Sequence, residues 1–419
     1  MTAIQTFIHA LAQNAKKASY KMATLTTDEK NRALLAMAHA IDTQRSIIKA
    51  SNACDIKAAE QAGLSAPLIE RLTLNDQRID GMISSIRDIA ALADPIGKLI
   101  TSKHLDNGME LKKIRVPLGV IGIIFESRPN VMADVSALCL KSGNAVILRG
   151  GKEAEASNRA IMDALEEGLR TVNFIPHAVQ LVSVADRSAV TYLCQESDLV
   201  DVIIPRGGES LIKAVVECAT VPVIKHYKGV CHVYVDKDAD QDMALSICVN
   251  AKCQRPSVCN AAETIVVHQD IAASFLPRLY DEFSRYNVEM RGDEKARAIC
   301  PGMKNASETD WSEEYLDLIV AIKVVESLDD AIHHINTYGS HHSDAIVTMN
   351  KSASLQFSKE VDSAAVYINA STRFTDGGMF GLGAEMGIST DKLHARGPMA
   401  LEELCTYKWI GVGSGQIRS

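Results

Sequence analysis

The sequence predicts an α/β protein with two Rossmann-type domains, each a largely parallel sheet with helices on both faces. Short apolar runs alternate with helical segments from residue 119 to residue 224, and a second such series runs from residue 264 to residue 368. Strands that alternate with helices form right-handed crossovers and lie parallel in one sheet. The length of 419 residues also exceeds that of one ordinary hydrophobic core, which favours at least two domains.

The composition predicts a globular protein that stays in the cytoplasm. Hydrophobic residues make up 47% of the chain and charged residues 23%. The net charge of −8, without a basic stretch rich in aromatic residues, argues against binding to nucleic acid or to an anionic membrane. No apolar run reaches the ~18 residues of a membrane span, and the N-terminus lacks the order of a signal peptide.

The N-terminal part of the chain, residues 1–96, has helical periodicity. Apolar residues follow Thr27 at spacings of three and four, among them Leu34 and Met37. The runs 99–102 and 109–116 then flank Asn107-Gly108, a strong local signal for a β-hairpin. Such a hairpin is suited to contacts between subunits. The pattern of residues 406–412 predicts a further strand, which we also expect to take part in subunit assembly.

Both α/β series predict specific strands. The first predicts strands over residues 120–125, 145–149, 179–184, 200–204 and 221–224, and helices over residues 130–141, 153–170, 188–194 and 209–218. The second predicts strands over residues 264–268, 318–325, 344–349 and 364–368. We expect a ligand cleft between the two domains that these series form.

The stretch 253–264 contains the strongest candidate for chemistry. Cys259 follows a turn signal and precedes small residues and an apolar run, which predicts a thiol at the end of an element with its backbone N–H free. Such a thiol suits covalent catalysis. Cys253 is its neighbour, but the five residues between them and the lack of a second pair make a zinc site improbable. The other cysteines are scattered, and several are interpreted as buried hydrophobic residues.

Polar turns follow two predicted strands of the first series. Asn130 ends one such turn, where its amide either points into a ligand cleft or simply caps the next helix. Together with the Cys259 N–H, this amide would complete an oxyanion hole. The run Arg149-Gly150-Gly151-Lys152 follows another strand. Its glycines admit a ligand and its cations suit a phosphate, with a solvated basic loop as the alternative.

Further polar residues are candidates for binding an anionic substrate, and plain exposure to solvent is the alternative for each. They are Arg255, Lys225, Asn369, Arg373, His394 and Arg396. Arg255 would also favour the thiolate of the nearby cysteine, because a free cysteine titrates at about 8.5.

Taken in order, these segments resemble the aldehyde dehydrogenase superfamily over nearly the full length, and most closely its branch that reduces a glutamyl phosphate in proline biosynthesis. The resemblance rests on residues 125–130, 142–153, 254–261, 376–387 and 394–398. It implies a nucleotide-binding domain, a catalytic domain and an oligomerisation element. The implied nucleotide-binding domain comprises residues 1–98 and 118–230 with part of 371–402. The implied catalytic domain comprises residues 231–370, and the implied oligomerisation element comprises residues 99–117 and 403–419.

The resemblance also implies residue roles. It makes Cys259 the nucleophile and Asn130 the oxyanion donor. Arg149 occupies the place of a cofactor-contacting lysine, and Glu314 that of a glutamate that holds a cofactor ribose. The implied cofactor is NADPH, because Arg149 and Lys152 flank the glycines where members selective for NAD carry a carboxylate. The following carboxylate, Glu153, complicates this interpretation.

One missing carboxylate distinguishes the chain from hydrolytic members of the superfamily. Those enzymes carry a glutamate that activates water, whereas the corresponding stretch here is Lys225-His-Tyr-Lys-Gly229. We therefore expect NADPH-dependent reduction of L-glutamyl 5-phosphate to L-glutamate 5-semialdehyde and phosphate through a cysteine thioester. We further expect a homo-oligomer with functional coupling to glutamate 5-kinase. A hydrolytic aldehyde dehydrogenase and a non-catalytic binding protein of the same fold are the alternatives.

Overall fold

The computed structural model describes residues 2–418, which form two compact units. Within these residues, unit 1 comprises residues 2–225, Gly381–Gly387 and residues 399–418, and unit 2 comprises His226–Phe380 and Ile388–Pro398. The boundary after Lys225 lies close to the domain boundary expected after residue 230. None of the helices in the described part of the chain is long and apolar enough to cross a membrane.

Unit 1 opens with a layer of helices, as the periodicity of the sequence predicts. They are α1 (Ala3–Met22), α2 (Thr27–Thr43), α3 (Arg45–Gln61), α4 (Ala66–Leu72) and α5 (Asp76–Ala91). A capping box begins α2, because the Thr26 side chain accepts from the Glu29 N–H while the Glu29 carboxylate accepts from the Thr26 N–H. The apolar face of α2 is buried at Leu34, Met37 and Ile41, which ties the helix to the rest of the unit.

The predicted hairpin is present in unit 1. Strands β1 (Leu99–His104) and β2 (Glu110–Pro117) pair antiparallel, and the C-terminal strand β16 (Cys405–Val412) adds to the other edge of β2. Gly108 adopts a φ of +84°, a value that favours glycine at this turn. Tyr407 and Trp409 are exposed on this sheet. Its role in oligomerisation stays a prediction.

A parallel sheet with the order β5-β4-β3-β6 forms the core of unit 1. Its strands are β3 (Val120–Phe125), β4 (Ala145–Arg149), β5 (Val179–Leu181) and β6 (Val202–Arg206), and its helices are α6 (Val131–Lys141), α7 (Glu155–Thr171), α8 (Ser188–Cys194) and α9 (Glu209–Cys218). The strand predicted over residues 221–224 is wrong. Only Val223 forms a bridge, to Ile203, and its neighbour Pro222 has no N–H to extend the ladder.

Unit 2 is built on a parallel sheet with the order β10-β9-β11-β8-β7-β12-β13. Its strands are β7 (Cys231–Val235), β8 (Ala262–His268), β9 (Glu289–Gly292), β10 (Lys304–Asn305), β11 (Ile319–Val325), β12 (Ser343–Val347) and β13 (Ala365–Ile368). The short pair β14 (Ile388–Ser389) and β15 (Gly397–Pro398) is antiparallel. Strand β7 lies inside the sheet, although the sequence patterns did not predict it.

Helices cover both faces of the unit 2 sheet. They are α10 (Gln241–Cys253), α11 (Gln269–Arg285), α12 (Glu294–Ile299), α13 (Leu328–Tyr338) and α14 (Lys351–Glu360). Two successive residues of β7 point to opposite faces of the sheet, since Val233 packs in one apolar cluster and Tyr234 in another. The sheet is therefore covered on both faces, as the predicted Rossmann-type fold requires.

Candidate active site

Cys259 lies in a tight turn between the end of α10 and the start of β8. The Ala261 N–H donates to the Val258 carbonyl at 3.0 Å, so residues 258–261 form a four-residue turn with Cys259 as its second residue. We call these four residues the nucleophile turn, or the Cys259 turn. The Cys259 side chain is partly exposed. Its own N–H has no acceptor among residues 2–418. The turn thus presents a thiol and an unused N–H donor side by side.

The backbone of Cys259 is packed against the start of β7. A Cβ at Gly229 would lie 2.6 Å from the Cys259 Cα and would overlap the Cys259 carbonyl oxygen. The Gly229 N–H donates to Glu314 Oε1 at 2.8 Å, and the Cys231 thiol donates to the Cys259 carbonyl at 3.2 Å. Any side chain at position 229 would therefore displace the nucleophile turn.

We expect Gly229→Ala to lower kcat by roughly 10²-fold, because the added methyl group must push the Cys259 backbone by about 1 Å. Steady-state kinetics and the rate of alkylation of Cys259 measure the effect. Gly81→Ala is the matched control, since a Cβ at Gly81 meets nothing within 4 Å. A Gly229→Ala enzyme with the activity of the Gly81→Ala control would contradict the packing argument.

Asn260 connects the nucleophile turn to residues 371–375. Its Nδ2 donates to the Thr375 carbonyl at 2.8 Å, and the Thr372 hydroxyl donates to the Asn260 carbonyl at 2.7 Å. Just before the turn, at the end of α10, Gln254 Oε1 accepts from Arg373 Nε at 2.9 Å. Sequence reasoning missed this connection, because its partners lie 112 to 119 residues apart and no local pattern pairs them.

A buried ion pair closes the base of the same turn. Lys252 at the end of α10 lies 2.6 Å from the carboxylate of Glu263 at the start of β8, and both side chains are fully buried. Burial raises the pKa of Glu263 to about 7 and lowers the pKa of Lys252. Removing either partner would leave a polar group buried without its partner, so the pair holds the two ends of the turn together.

Burial makes several other thiols poor nucleophiles. It raises the pKa of Cys139, Cys194, Cys231, Cys248, Cys253, Cys300 and Cys405. For Cys253, the neighbour of the predicted nucleophile, the pKa rises to about 11. That group is therefore a neutral thiol at physiological pH, and the thiolate is the reactive form.

Asn130 lies in unit 1, where β3 leads into α6. Its backbone is helical, with a φ of −60° and a ψ of −27°, and its side chain makes no capping hydrogen bond. Its amide has no hydrogen-bond partner in the described part of the chain. The interpretation of Asn130 as a simple side-chain cap is therefore wrong. A half-buried, unused amide at the carboxyl end of a parallel strand is available to a ligand.

Glu153 supports the turn that precedes Asn130. Its Oε1 accepts from the Ser127 N–H at 2.6 Å and from the Ser127 hydroxyl at 2.9 Å. Ser127 has a φ of +44°, which is uncommon for a residue with a side chain. The carboxylate that complicated the sequence interpretation is thus engaged with a neighbouring turn.

A cleft in unit 1 lies at the carboxyl ends of β4 and β5. Its empty volume is about 360 Å³, and its lining residues are Gly150, Gly151, Lys152, Glu155, Asn158, Arg159, Leu181, Val182, Ser183, Val184 and Ala185. Two cations, two glycines and the buried, unpaired Oδ1 of Asn158 fit a nucleotide with a phosphate group. Sequence reasoning missed Arg159, although its position one helical turn after Glu155 predicts the same face of α7.

Arg149 supports the walls of this cleft and does not line it. Its guanidinium donates to the Gly150 carbonyl at 2.7 Å and to the Ala185 carbonyl at 3.1 Å. Both of those residues line the cleft, and burial lowers the pKa of Arg149. The structure therefore brings Gly150, Gly151 and Lys152 to the cleft, while the guanidinium of Arg149 holds two of its walls together.

Two of the candidate substrate residues are used inside unit 2. The Asn369 amide bonds both the N–H and the carbonyl of Thr348, at 2.8 and 2.9 Å. Arg396 donates to the carboxylate and the carbonyl of Asp362, also at 2.8 and 2.9 Å. These contacts give Asn369 and Arg396 structural roles, and their contact with a substrate stays a prediction.

The remaining candidates lie in different places. His394 is exposed on the loop between β14 and β15, and Lys225 is half-buried in unit 1. Arg255 lies in the short segment between α10 and the Cys259 turn, and Arg373 is bonded to its neighbour Gln254 at the end of α10. Within unit 2, the structure thus brings Arg255 and Arg373 together with Cys259.

Comparisons with known proteins find similar sequences and structures over nearly the full length of this chain. A sequence model of the aldehyde dehydrogenase family matches residues 2–317. The γ-glutamyl phosphate reductases of Geotalea daltonii and Moorella thermoacetica are 51% and 53% identical to this chain, over 98% of its length and 98% of theirs. The crystal structure of γ-glutamyl phosphate reductase from Thermotoga maritima is similar, with a TM-score of 0.97 and 45% identity over 98% of this chain and 100% of that one.

A more distant structure shares the fold alone. An acetylating aldehyde dehydrogenase from Geobacillus thermoglucosidasius has a TM-score of 0.69 at 15% identity, over 99% of this chain and 98% of that one. The predicted fold class, two Rossmann-type α/β domains with a hairpin element, is confirmed by these structures.

Proposed function

The chain belongs to the aldehyde dehydrogenase family, and we propose that it reduces L-glutamyl 5-phosphate to L-glutamate 5-semialdehyde and phosphate, a step of proline biosynthesis. The observation that carries the proposal is the Cys259 turn, which presents a partly exposed thiol beside its own unused N–H. The relatives of about half identity are named for this reaction.

The first chemical step is acyl transfer to Cys259. Its thiolate attacks the carbonyl carbon of the acyl phosphate, and the Cys259 N–H and the Asn130 amide donate to the oxygen as it becomes negative. The C–O bond to phosphate then breaks, and the electron pair leaves with the phosphate. Phosphate is a good leaving group, so this step needs no strong acid from the chain.

The resulting thioester is kept for reduction. The stretch Lys225-His-Tyr-Lys-Gly229 contains no carboxylate that could activate water, so the chain lacks the base of hydrolytic relatives at this place. NADPH supplies the hydride when it is bound. Glu314, whose Oε1 accepts from the Gly229 N–H, is the proposed contact for a cofactor ribose.

We expect the purified protein to reduce NADP⁺ with glutamate 5-semialdehyde only when inorganic phosphate is present, because phosphate must attack the thioester to release the acyl group. The formation of NADPH, followed by absorbance, measures the rate. Arsenate should replace phosphate, since its acyl ester forms in the same way. Steady NADPH formation at the same rate without either anion would instead indicate a hydrolytic aldehyde dehydrogenase and contradict the proposal.

The cofactor cleft of unit 1 supports a preference for NADPH. Lys152 and Arg159 both line it, and we propose that they bind the 2′-phosphate that distinguishes NADPH from NADH. Glu155 lines the same cleft and carries one opposing charge. The combined charge of these three side chains is still positive, which favours the extra phosphate.

We expect Lys152→Ala and Arg159→Ala each to lower kcat/KM for NADPH by roughly 10-fold or more, because a hydrogen bond between charged groups contributes about 1.5–3 kcal/mol. The value for NADH should change little, since that cofactor lacks the 2′-phosphate. Arg170→Ala is the matched control on the same helix, where the side chain is exposed and pairs with Glu167. Equal losses with both cofactors would contradict the assignment.

A further inference from the structure

Two arginines with little neutralising charge lie beside the nucleophile in unit 2. Arg255 is exposed four residues before Cys259 and makes no hydrogen bond or ion pair among the residues that the structure describes. Arg373 is half-buried after β13, and its Nε donates to Gln254, the residue before Arg255. Neither guanidinium has a carboxylate within ion-pair distance inside residues 2–418.

Hydrogen bonds hold Arg373 beside the Cys259 turn, while the Arg255 side chain is bonded to no described residue. The Asn260 side chain and the Thr372 hydroxyl join the nucleophile turn to the segment that carries Arg373. The Arg373 guanidinium is close enough to interact electrostatically with both Arg255 and Cys259. Burial lowers the pKa of Arg373, Arg255 lowers it further, and Cys259 and Asp376 act in the opposite direction.

The charges of Arg255 and Arg373 repel each other, and an anion bound by both would relieve that repulsion. The guanidinium group binds phosphate oxygens in pairs, which makes two arginines a suitable site for a phosphate dianion. In an acyl phosphate, the phosphorus is two bonds from the carbonyl carbon that the thiol attacks. The α-carboxylate carbon of a glutamyl group is four bonds away from the same atom.

Resting on the proposed function, we infer that Arg255 and Arg373 form the site for the phosphate group of the substrate, next to the sulfur that displaces it. In the forward direction the sulfur–carbon bond forms and the electron pair of the carbon–oxygen bond leaves with phosphate into this site. In the reverse direction a phosphate oxygen held there attacks the thioester carbonyl, and the Cys259 thiolate leaves.

The reverse reaction separates this inference from its main alternative. With glutamate 5-semialdehyde and inorganic phosphate as substrates, the phosphate and the α-carboxylate are on different molecules, so each has its own KM. We expect Arg255→Ala and Arg373→Lys to raise KM for phosphate by about 10-fold or more, as the loss of a charged hydrogen bond predicts. KM for the semialdehyde should stay within twofold of wild type. Arg285→Ala, an exposed arginine of unit 2 that pairs with Glu282, is the matched control.

Three outcomes would overturn the inference. They are an unchanged KM for phosphate, a rise confined to KM for the semialdehyde, which would assign the arginines to the α-carboxylate, and equal changes in the Arg285→Ala control. A wild-type enzyme without phosphate dependence would instead overturn the proposed function, and with it this assignment.

A second measurement does not depend on turnover. Inorganic phosphate should slow the alkylation of Cys259 by iodoacetamide in the wild-type protein, because a bound dianion lies beside the sulfur and blocks the reagent. Arg255→Ala should lose this protection. Removing the Arg255 side chain breaks no hydrogen bond in residues 2–418, so the fold is expected to survive the change. Protection that is the same in Arg255→Ala and wild type would contradict the site.

Discussion

Cys259→Ala is expected to lower the turnover of glutamyl phosphate by about 10⁴-fold or more, because the thiol forms the bond that replaces phosphate. The protein should still fold and bind NADPH. The side chain is partly exposed and contributes little packing, while the cofactor cleft is lined by residues of unit 1. Steady-state kinetics, NADPH fluorescence and thermal unfolding measure the three properties.

Cys253→Ala is the matched control for this experiment. Cys253 ends α10 and packs partly against the apolar core of unit 2, and burial raises the pKa of its thiol to about 11. We expect the variant to keep most of the activity and to lose a little stability from reduced packing. Activity retained in Cys259→Ala, or lost to the same extent in Cys253→Ala, would refute the assignment of the nucleophile.

Local signals predicted much of the fold. The Asn107-Gly108 step predicted the hairpin β1–β2, and Gly108 adopts the positive φ that such a turn requires. The four strands predicted for the second series also formed near their expected positions, as β8, β11, β12 and β13. These elements are predictable because the pattern that specifies each one lies within a few residues of sequence.

Strand β7 shows where such signals fail. Its sequence, Cys231-His-Val-Tyr-Val235, directly follows a basic cluster and includes a histidine, so it does not stand out as a continuous apolar run. Yet all five residues are buried, and the backbone N–H and Nδ1 of His232 are both hydrogen-bonded to Asp344, 112 residues later in the chain. A buried polar residue of this kind depends on a distant partner that no local pattern identifies.

The candidate site also has a part that local sequence predicts and a part that depends on distant residues. The position of Cys259 in a turn follows from the residues around it, and the sequence predicted it. The contacts that hold this turn could not be predicted in the same way. Gly229 and Thr375 are distant from it in sequence, and the folded unit 2 brings them against Cys259 and Asn260. For Arg149, the position in the sequence suggested a ligand contact. In the structure, its guanidinium donates to two carbonyl groups of the protein instead.

Asn130→Ala is expected to lower kcat by roughly 10²–10³-fold, the usual effect of removing one oxyanion donor. Its effect on stability separates this role from a structural one. A side-chain cap that is replaced by alanine costs about 1 kcal/mol of the free energy of unfolding. Asn130 makes no capping bond, so we expect the stability of this variant to match wild type.

Asn75→Ala supplies the matched comparison, because the Asn75 side chain does cap its helix by accepting from the Arg78 N–H at 2.9 Å. That variant should lose about 1 kcal/mol of stability and keep its turnover. Asn130→Asp sharpens the test further. A carboxylate has nearly the same shape as the amide but cannot donate, and its charge repels a developing oxyanion, so its kcat should fall at least as far as that of Asn130→Ala. An active Asn130→Asp enzyme would rule out the donor role.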